Sequence, residues 1–185
     1  MKIAITQRQF VINDIIHDCL DPQWYSFLSP HEVIPVPNCD YIVPEFDVLI
    51  ISGGEHSTVR ATIEERYYRL ALRKNIPVIG ICHGAFLLNI LNCGMTSASK
   101  TNNHTGTNHT VEMDNLTYCV NSFHSLEIEL DNLGENLIPI ATHLNTVEAF
   151  EHKELPIYGI VWHPERMGKH AIIPKKVEEL LNNGR

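Results

Sequence analysis

The sequence predicts an α/β protein: a mostly parallel central sheet with helices on both faces, plus a small antiparallel section. Two observations carry this prediction. In the first half, short apolar runs alternate with stretches of helical spacing, the pattern that right-handed crossovers between parallel strands produce. After Gly94 the pattern changes to several short strand candidates joined by polar turns.

In chain order, Lys2 to Thr6 is a first strand. Ile12 to Leu20 has apolar residues at 12, 15, 16 and 20 and predicts a helix. Val33 to Val36, flanked by prolines, is a short strand. Asp47 to Ser52 is an almost continuous aliphatic run, as in a strand covered on both faces, and it ends at Gly53-Gly54. Thr62 to Lys74 puts Ile63, Tyr67 and Leu70 on one face with charges between them, an amphipathic helix. Pro77 to Ile81 is a buried strand and Ala85 to Leu91 a helix of strong helix formers. Strand candidates follow at Thr110–Met113, Thr117–Val120, Leu126–Leu130, Leu137–Ala141 and Val147–Glu151. Ile157 to Trp162 returns to the main sheet, and Lys175 to Asn182 is a closing helix.

Bulk properties narrow the function. The 185 residues suit one domain, 1–185, with a substantial core, and 44% hydrophobic against 19% charged residues is ordinary for a globular chain. A net charge of −8 with no basic run longer than Lys175-Lys176 argues against nucleic acid or an anionic membrane as partner. The five cysteines (19, 39, 82, 93, 119) are scattered and never form a CxxC pair, which fits neither a disulfide framework nor a structural zinc site. MKIAITQRQF lacks the features of a signal peptide, and no apolar stretch is long enough to span a bilayer, so the expected setting is cytoplasmic.

Three segments could carry chemistry. Gly80-Ile81-Cys82-His83-Gly84 joins a strand to a helix as Gly-x-nucleophile-x-Gly, the form of a nucleophile elbow. Small glycines let the two backbones approach, and the positive end of the helix dipole favours a negative charge on Cys82. The same five residues also suit a small buried cysteine between packing glycines. His163 follows the last strand of the sheet, with Glu165 two residues on to orient its imidazole. Alone, His-Pro-Glu could equally be a turn. Ser52-Gly53-Gly54 ends a strand in two glycines, whose amides could face a developing oxyanion or simply make a tight turn.

Together, the Gly-Gly strand end, the GxCxG elbow and the late W-H-P-E resemble the class I glutamine amidotransferases and the related γ-glutamyl hydrolases, over nearly the whole chain. The resemblance implies a flavodoxin-like sheet and a triad of Cys82, His163 and Glu165, with Gly54 and His83 supplying oxyanion amides. It implies hydrolysis of a γ-glutamyl amide through a thioester on Cys82, releasing glutamate, with no metal or cofactor. The expected ligand is a small γ-glutamyl substrate. Glutamine-using members carry Gln where this chain has Phe86 and Val161. Asn121-Ser122-Phe123-His124 is similar to a substrate-binding loop of hydrolases acting on γ-glutamyl amines, so Gly53, Phe86, Ser122, Phe123 and His124 are carried over as substrate-binding residues.

The stretch 102–109 contains His104 and His109 five residues apart, but no carboxylate or cysteine stands at ligand spacing, and a polar loop near the site mouth is expected. Its H-x-G-x-x-H form is similar to small amidotransferase-like proteins of surface-polysaccharide gene sets, one of which hydrolyses a γ-glutamyl cytidine-diphosphoramidate. That version would use basic residues to hold a diphosphate, and Arg60, Lys100 and Arg166 are candidates. A stand-alone conjugate hydrolase is favoured over a glutaminase subunit that feeds ammonia to a partner synthase. A non-catalytic binding module is the alternative of another class, and a redox-sensing thiol protein a third.

Overall fold

A computed structural model describes residues 1–99 and 105–182; Lys100, Asn102, Asn103 and His104 lie outside the described residues. The parallel half of the sheet holds β1 (Lys2–Thr6), β4 (Glu32–Val36), β5 (Val48–Ile51), β6 (Val78–Ile81) and β13 (Ile157–Ile160). The antiparallel half holds β8 (Thr105–Met113), β9 (Leu116–Phe123), β11 (Leu137–His143) and β12 (Thr146–His152). They form one nine-stranded sheet in the order β4-β1-β5-β6-β13-β12-β11-β8-β9. The antiparallel strands therefore extend the main sheet rather than standing beside it. β10 (Leu126–Glu127) instead pairs with β7 (Ser97–Ala98) as a separate two-stranded ribbon.

Helices cover both faces. α1 (Gln23–Phe27) and α4 (Lys175–Asn182) bring Trp24, Phe27, Val177 and Leu181 against Ile50, Ile79 and Ile81 on one face. α3 (His83–Leu91) packs on the other, where a side chain on Gly80 or Gly84 would meet the α3 backbone or Ile51 of β5. The run Val48–Ile51 is buried at every position, as a strand covered on both sides requires. Where the two halves meet, Gly159 of β13 faces Phe150 of β12 so closely that a methyl there would clash with the ring.

α2 (Thr58–Lys74) starts four residues earlier than predicted, because the Ser57 side chain accepts the Arg60 amide at 3.2 Å and caps the helix. Its inward face holds Arg60 and Glu64 as well as Ile63 and Tyr67, so Glu64, expected among the charges between the apolar positions, lies inside.

One prediction fails outright. Residues 12–20 are not helical: β2 (Arg8–Ile12) and β3 (Ile15–Cys19) make a hairpin. Asn13 and Asp14 turn it with φ of 52° and 61°, left-handed values that short polar side chains tolerate. Ile12, Ile15 and Ile16 stay exposed, so the helical spacing had no core to face, and β-branched side chains settled into strand.

The elbow depends on backbone contact. A Cβ at Gly84 would sit 2.1 Å from the Ile51 carbonyl oxygen, which cannot move without displacing β5. Gly84→Ala is therefore expected to destabilise the fold by about 3 kcal/mol, read as a lower urea midpoint at unchanged slope.

Candidate functional site

Cys82 sits between β6 and α3 with φ 50° and ψ −103°, a backbone region that L-residues rarely occupy. The chain reaches it by a direct strand-to-helix turn: the Cys82 amide donates to the Ile160 carbonyl at 2.8 Å and the Phe86 amide to the Cys82 carbonyl at 3.1 Å. The thiol is largely buried but lines a cavity of about 380 Å³ with Gly54, His83, Phe86, Phe123 and His163. A larger, open hollow of about 500 Å³ beside Met1 and Asp47 contains neither Cys82 nor any of these residues.

His163 comes from the segment after β13, opposite the elbow, and lines the cavity beside Cys82. Its Nδ1 lies 2.7 Å from Oε1 of Glu165, which sits in a short turn begun by Pro164. Burial opposes a charge on His163, but the hydrogen bonds to Cys82 and Glu165 outweigh it and raise the imidazole pKa to about 9. Asn121 of β9 holds the backbone of His163 on both sides, donating to its carbonyl at 2.8 Å and accepting its amide at 2.9 Å. Phe123 meets the imidazole edge-on at 5.8 Å. Gly53 lies under the pair: a Cβ there would come within 2.5 Å of His163 Cε1 and 3.4 Å of Cys82 Cβ.

A second, largely buried network braces the turn and the elbow. Arg60 Nε donates to Glu64 Oε1 at 2.8 Å, and both side chains are fully covered. Arg60 also donates to the carbonyls of Ser52 and Glu55, on either side of Gly53-Gly54, at 2.6 and 3.2 Å. Glu64 accepts from the Thr6 hydroxyl at 2.8 Å, and its other oxygen pairs with His83 Nε2 at 2.8 Å. Burial would raise the Glu64 pKa, but the hydrogen bond from His83 and the charge of Arg60 together hold it below the usual range.

The family model for glutamine amidotransferase class-I matches residues 24–176. The chain belongs to the class I glutamine amidotransferase family. It is 33% identical to the gamma-glutamyl-CDP-amidate hydrolase of Campylobacter jejuni, over 90% of this chain and 90% of that protein. It is 31% identical to a glutamine-hydrolyzing GMP synthase subunit of Methanosarcina acetivorans, over 82% of this chain and 80% of that one. A glutamine amidotransferase of Thermotoga maritima superposes with a TM-score of 0.69 at 15% identity, covering 98% and 90% of the two chains, a likeness of fold.

For this class I amidotransferase chain, the structure brings Cys82, His163 and Glu165 into one contact chain and places Gly54, His83, Phe86, Phe123 and His124 on the same cavity wall. Ser122, assigned to substrate binding, is fully buried and absent from the cavity wall, because alternation along β9 turns it inward while Phe123 faces out. Arg60, a candidate diphosphate ligand, is committed to Glu64 and two carbonyls. Arg166 does line the cavity. The stretch from Gly106 to His109 is strand β8, not a loop. There the fold supplies the carboxylate that local spacing lacked: Glu148 of β12 lies 3.3 Å from His109 and 3.9 Å from His124. The ligand atoms of the three lie within 4.8 Å of one another, close enough to hold a metal ion, although the sequence offered no such set. All five cysteines are free, and among the described residues no helix is long and apolar enough to cross a membrane.

Sequence reasoning missed the hold of Asn121 on His163, the placing of Arg8 and Glu64, and the burial of Arg60. Arg60 and Glu64 had a signal, since they stand four apart on the stripe of Ile63, Tyr67 and Ala71. Glu64→Ala would leave the Arg60 charge buried without its partner. It is expected to cost about 4 kcal/mol, with Glu64→Gln, which keeps acceptors for Arg60 and Thr6, costing clearly less by urea denaturation.

Proposed function

We propose that the chain hydrolyses a γ-glutamyl amide through a thioester on Cys82, and that it acts alone on a γ-glutamyl conjugate larger than glutamine. The observation that carries the reading is the strained Cys82 elbow, which shares one cavity with a His163 that Glu165 orients. The relative matched over nine-tenths of both chains, a gamma-glutamyl-CDP-amidate hydrolase, supports a nucleotide phosphoramidate as the conjugate.

In this mechanism Cys82 reacts as a thiolate beside the protonated His163: its sulfur attacks the γ-carbonyl carbon, and the oxyanion accepts hydrogen bonds from the amides of Gly54 and His83. A pKa near 9 keeps His163 protonated at neutral pH, so it can hand its proton to the departing nitrogen as the C–N bond breaks. Water then attacks the thioester, giving its proton to His163; the C–S bond breaks and glutamate leaves. Glu165 keeps the Nδ1 proton in place throughout, so Nε2 is the atom that exchanges protons with the reactants.

Phe86 and Val161 bear on the choice of substrate. The two positions that carry Gln in glutamine-using relatives hold an apolar ring on the cavity wall and a buried aliphatic side chain. Neither side chain has a hydrogen bond to offer a glutamine. The second reading, a glutaminase subunit for a partner synthase, is favoured by the likeness to the GMP synthase subunit. A binding module would have no use for an imidazole held against a strained cysteine.

Glutamate release by the purified protein tests the reading, with free glutamine, γ-glutamyl amines and a γ-glutamyl phosphoramidate as substrates. Turnover of a conjugate in preference to glutamine is expected, falling on the order of 10⁴-fold or more in Cys82→Ala. Turnover of glutamine above every conjugate would instead assign the glutaminase role. Gly53→Ala, which forces the imidazole away from Cys82, is expected to lower kcat about 100-fold.

The pH profile tests the acid. Deprotonation of His163 removes the proton donor, so kcat/KM is expected to fall as pH rises through about 9. In Glu165→Gln the charge that helps raise this pKa is gone, and the alkaline limb should move to lower pH. An alkaline limb that stays in place in Glu165→Gln would exclude His163 as the acid.

A further inference from the structure

The cavity has a charged rim that the γ-glutamyl chemistry does not use. Arg8, the first residue of β2, and Arg166, just after Glu165, both line it. Their guanidinium groups converge on one carboxylate: Arg8 Nη1 lies 3.3 Å and Arg166 Nη2 3.5 Å from Asp21 Oδ2. Each is also steadied by an aromatic ring, Arg8 over Phe10 at 4.2 Å and Arg166 over Phe123 at 4.8 Å. Phe123 is the ring that meets His163, so Arg166 stands one ring away from the reacting groups.

Arg8 holds a donor in reserve. Its Nε is buried with no hydrogen-bond partner, and a Cβ built on Gly54 would lie 3.4 Å from it, which places it beside the Gly53-Gly54 turn. A buried guanidinium N–H left unsatisfied is costly unless a ligand supplies the acceptor. The acidic groups nearby do not neutralise the pair. Asp21 offers one charge to two cations, Glu165 lies 3.5 Å from Arg166 but serves His163 at 2.7 Å, and Glu55 is exposed at the rim.

We infer that Arg8 and Arg166 form a subsite for the leaving group, built for an amine that carries phosphate. A carboxylate-bearing amine would satisfy one guanidinium fork; two converging forks with an unused donor match the several oxygens and at least two charges of a diphosphate. The hairpin of β2 and β3 explains how Arg8 reaches the cavity. Alternation along β2 puts Arg8 and Phe10 on one face, so the ring lies against the guanidinium it steadies. The inference deepens the hydrolase reading and rests on it only for the position of the γ-glutamyl group. The anion subsite itself can be tested without turnover.

Calorimetric titration of the Cys82→Ala protein with CDP, inorganic pyrophosphate and cytidine is the test. CDP and pyrophosphate are expected to bind, more weakly as salt rises, and cytidine to bind far less. Arg8→Gln and Arg166→Gln should each weaken both anions at least tenfold. Arg8→Lys, which keeps the charge but loses the fork, should fall between. Circular dichroism of each variant identifies any that fails to fold, and the remaining arginine variants then decide. Absence of anion binding, or equal binding by folded variants, overturns the subsite. Anion binding by a protein that releases no glutamate from any conjugate would overturn the hydrolase reading and leave the subsite standing.

Discussion

The site rests on the Glu64 carboxylate, buried beneath it. Three groups converge on its two oxygens from three parts of the chain: Thr6 at the end of β1, Arg60 from α2 and His83 at the elbow. Through Arg60 the same network reaches the carbonyls of Ser52 and Glu55. The backbone between them, Gly53-Gly54, is thus tied to the backbone of the elbow by charged hydrogen bonds rather than by apolar packing. Apolar side chains could fill that space, but they would not fix the direction of two carbonyls and an imidazole. Each partner is needed because each removal leaves a charge or donor without water.

On this base the absence of side chains does the fine positioning. Gly84 lets α3 touch β5, Gly80 lets the turn close, and Gly53 leaves room for the His163 ring. Asn121 adds the last constraint, fixing both backbone groups of His163 from a strand of the antiparallel half. The antiparallel extension of the sheet is therefore part of the site. It supplies Asn121, Phe123 and His124 to a cavity otherwise built by the parallel half.

Most of this frame was legible in the sequence, for physical reasons that differ by region. Strands buried on both faces must be apolar throughout, so Val48–Ile51 and Val78–Ile81 declared themselves. The elbow was legible because close backbone contact admits only glycine at two fixed offsets. The hairpin at residues 8–19 was not, since spacing alone cannot tell a helix facing a core from exposed β-branched residues with no core to face. Only the turn residues Asn13 and Asp14 carried that information. The groups that converge from distant strands were hidden for a different reason. Glu148 meets His109 and His124 across three strands, Asn121 reaches His163 over 42 residues and Arg8 reaches the cavity from the N-terminal hairpin. No local pattern encodes such meetings.

The charge layout bears on how an acidic chain would accept the anionic ligand proposed above. The net charge of −8 describes the whole surface, and at the Debye length of physiological salt, about 8 Å, distant carboxylates are screened from the cavity. What a ligand meets there is local: two guanidinium groups at the rim, an imidazole that holds its proton to about pH 9, and backbone amides at the elbow. All of these favour negative charge, and all cluster where β5, β6 and β13 end. Of the carboxylates that balance them, Asp21 is shared by the two arginines, while Glu64 and Glu165 are each hydrogen-bonded to a cation-forming side chain. The cavity thereby presents its cation-forming groups to a ligand, with Glu64 and Glu165 behind them. In the proposed hydrolysis, that arrangement would stabilise a developing oxyanion and a charged leaving group with the same field.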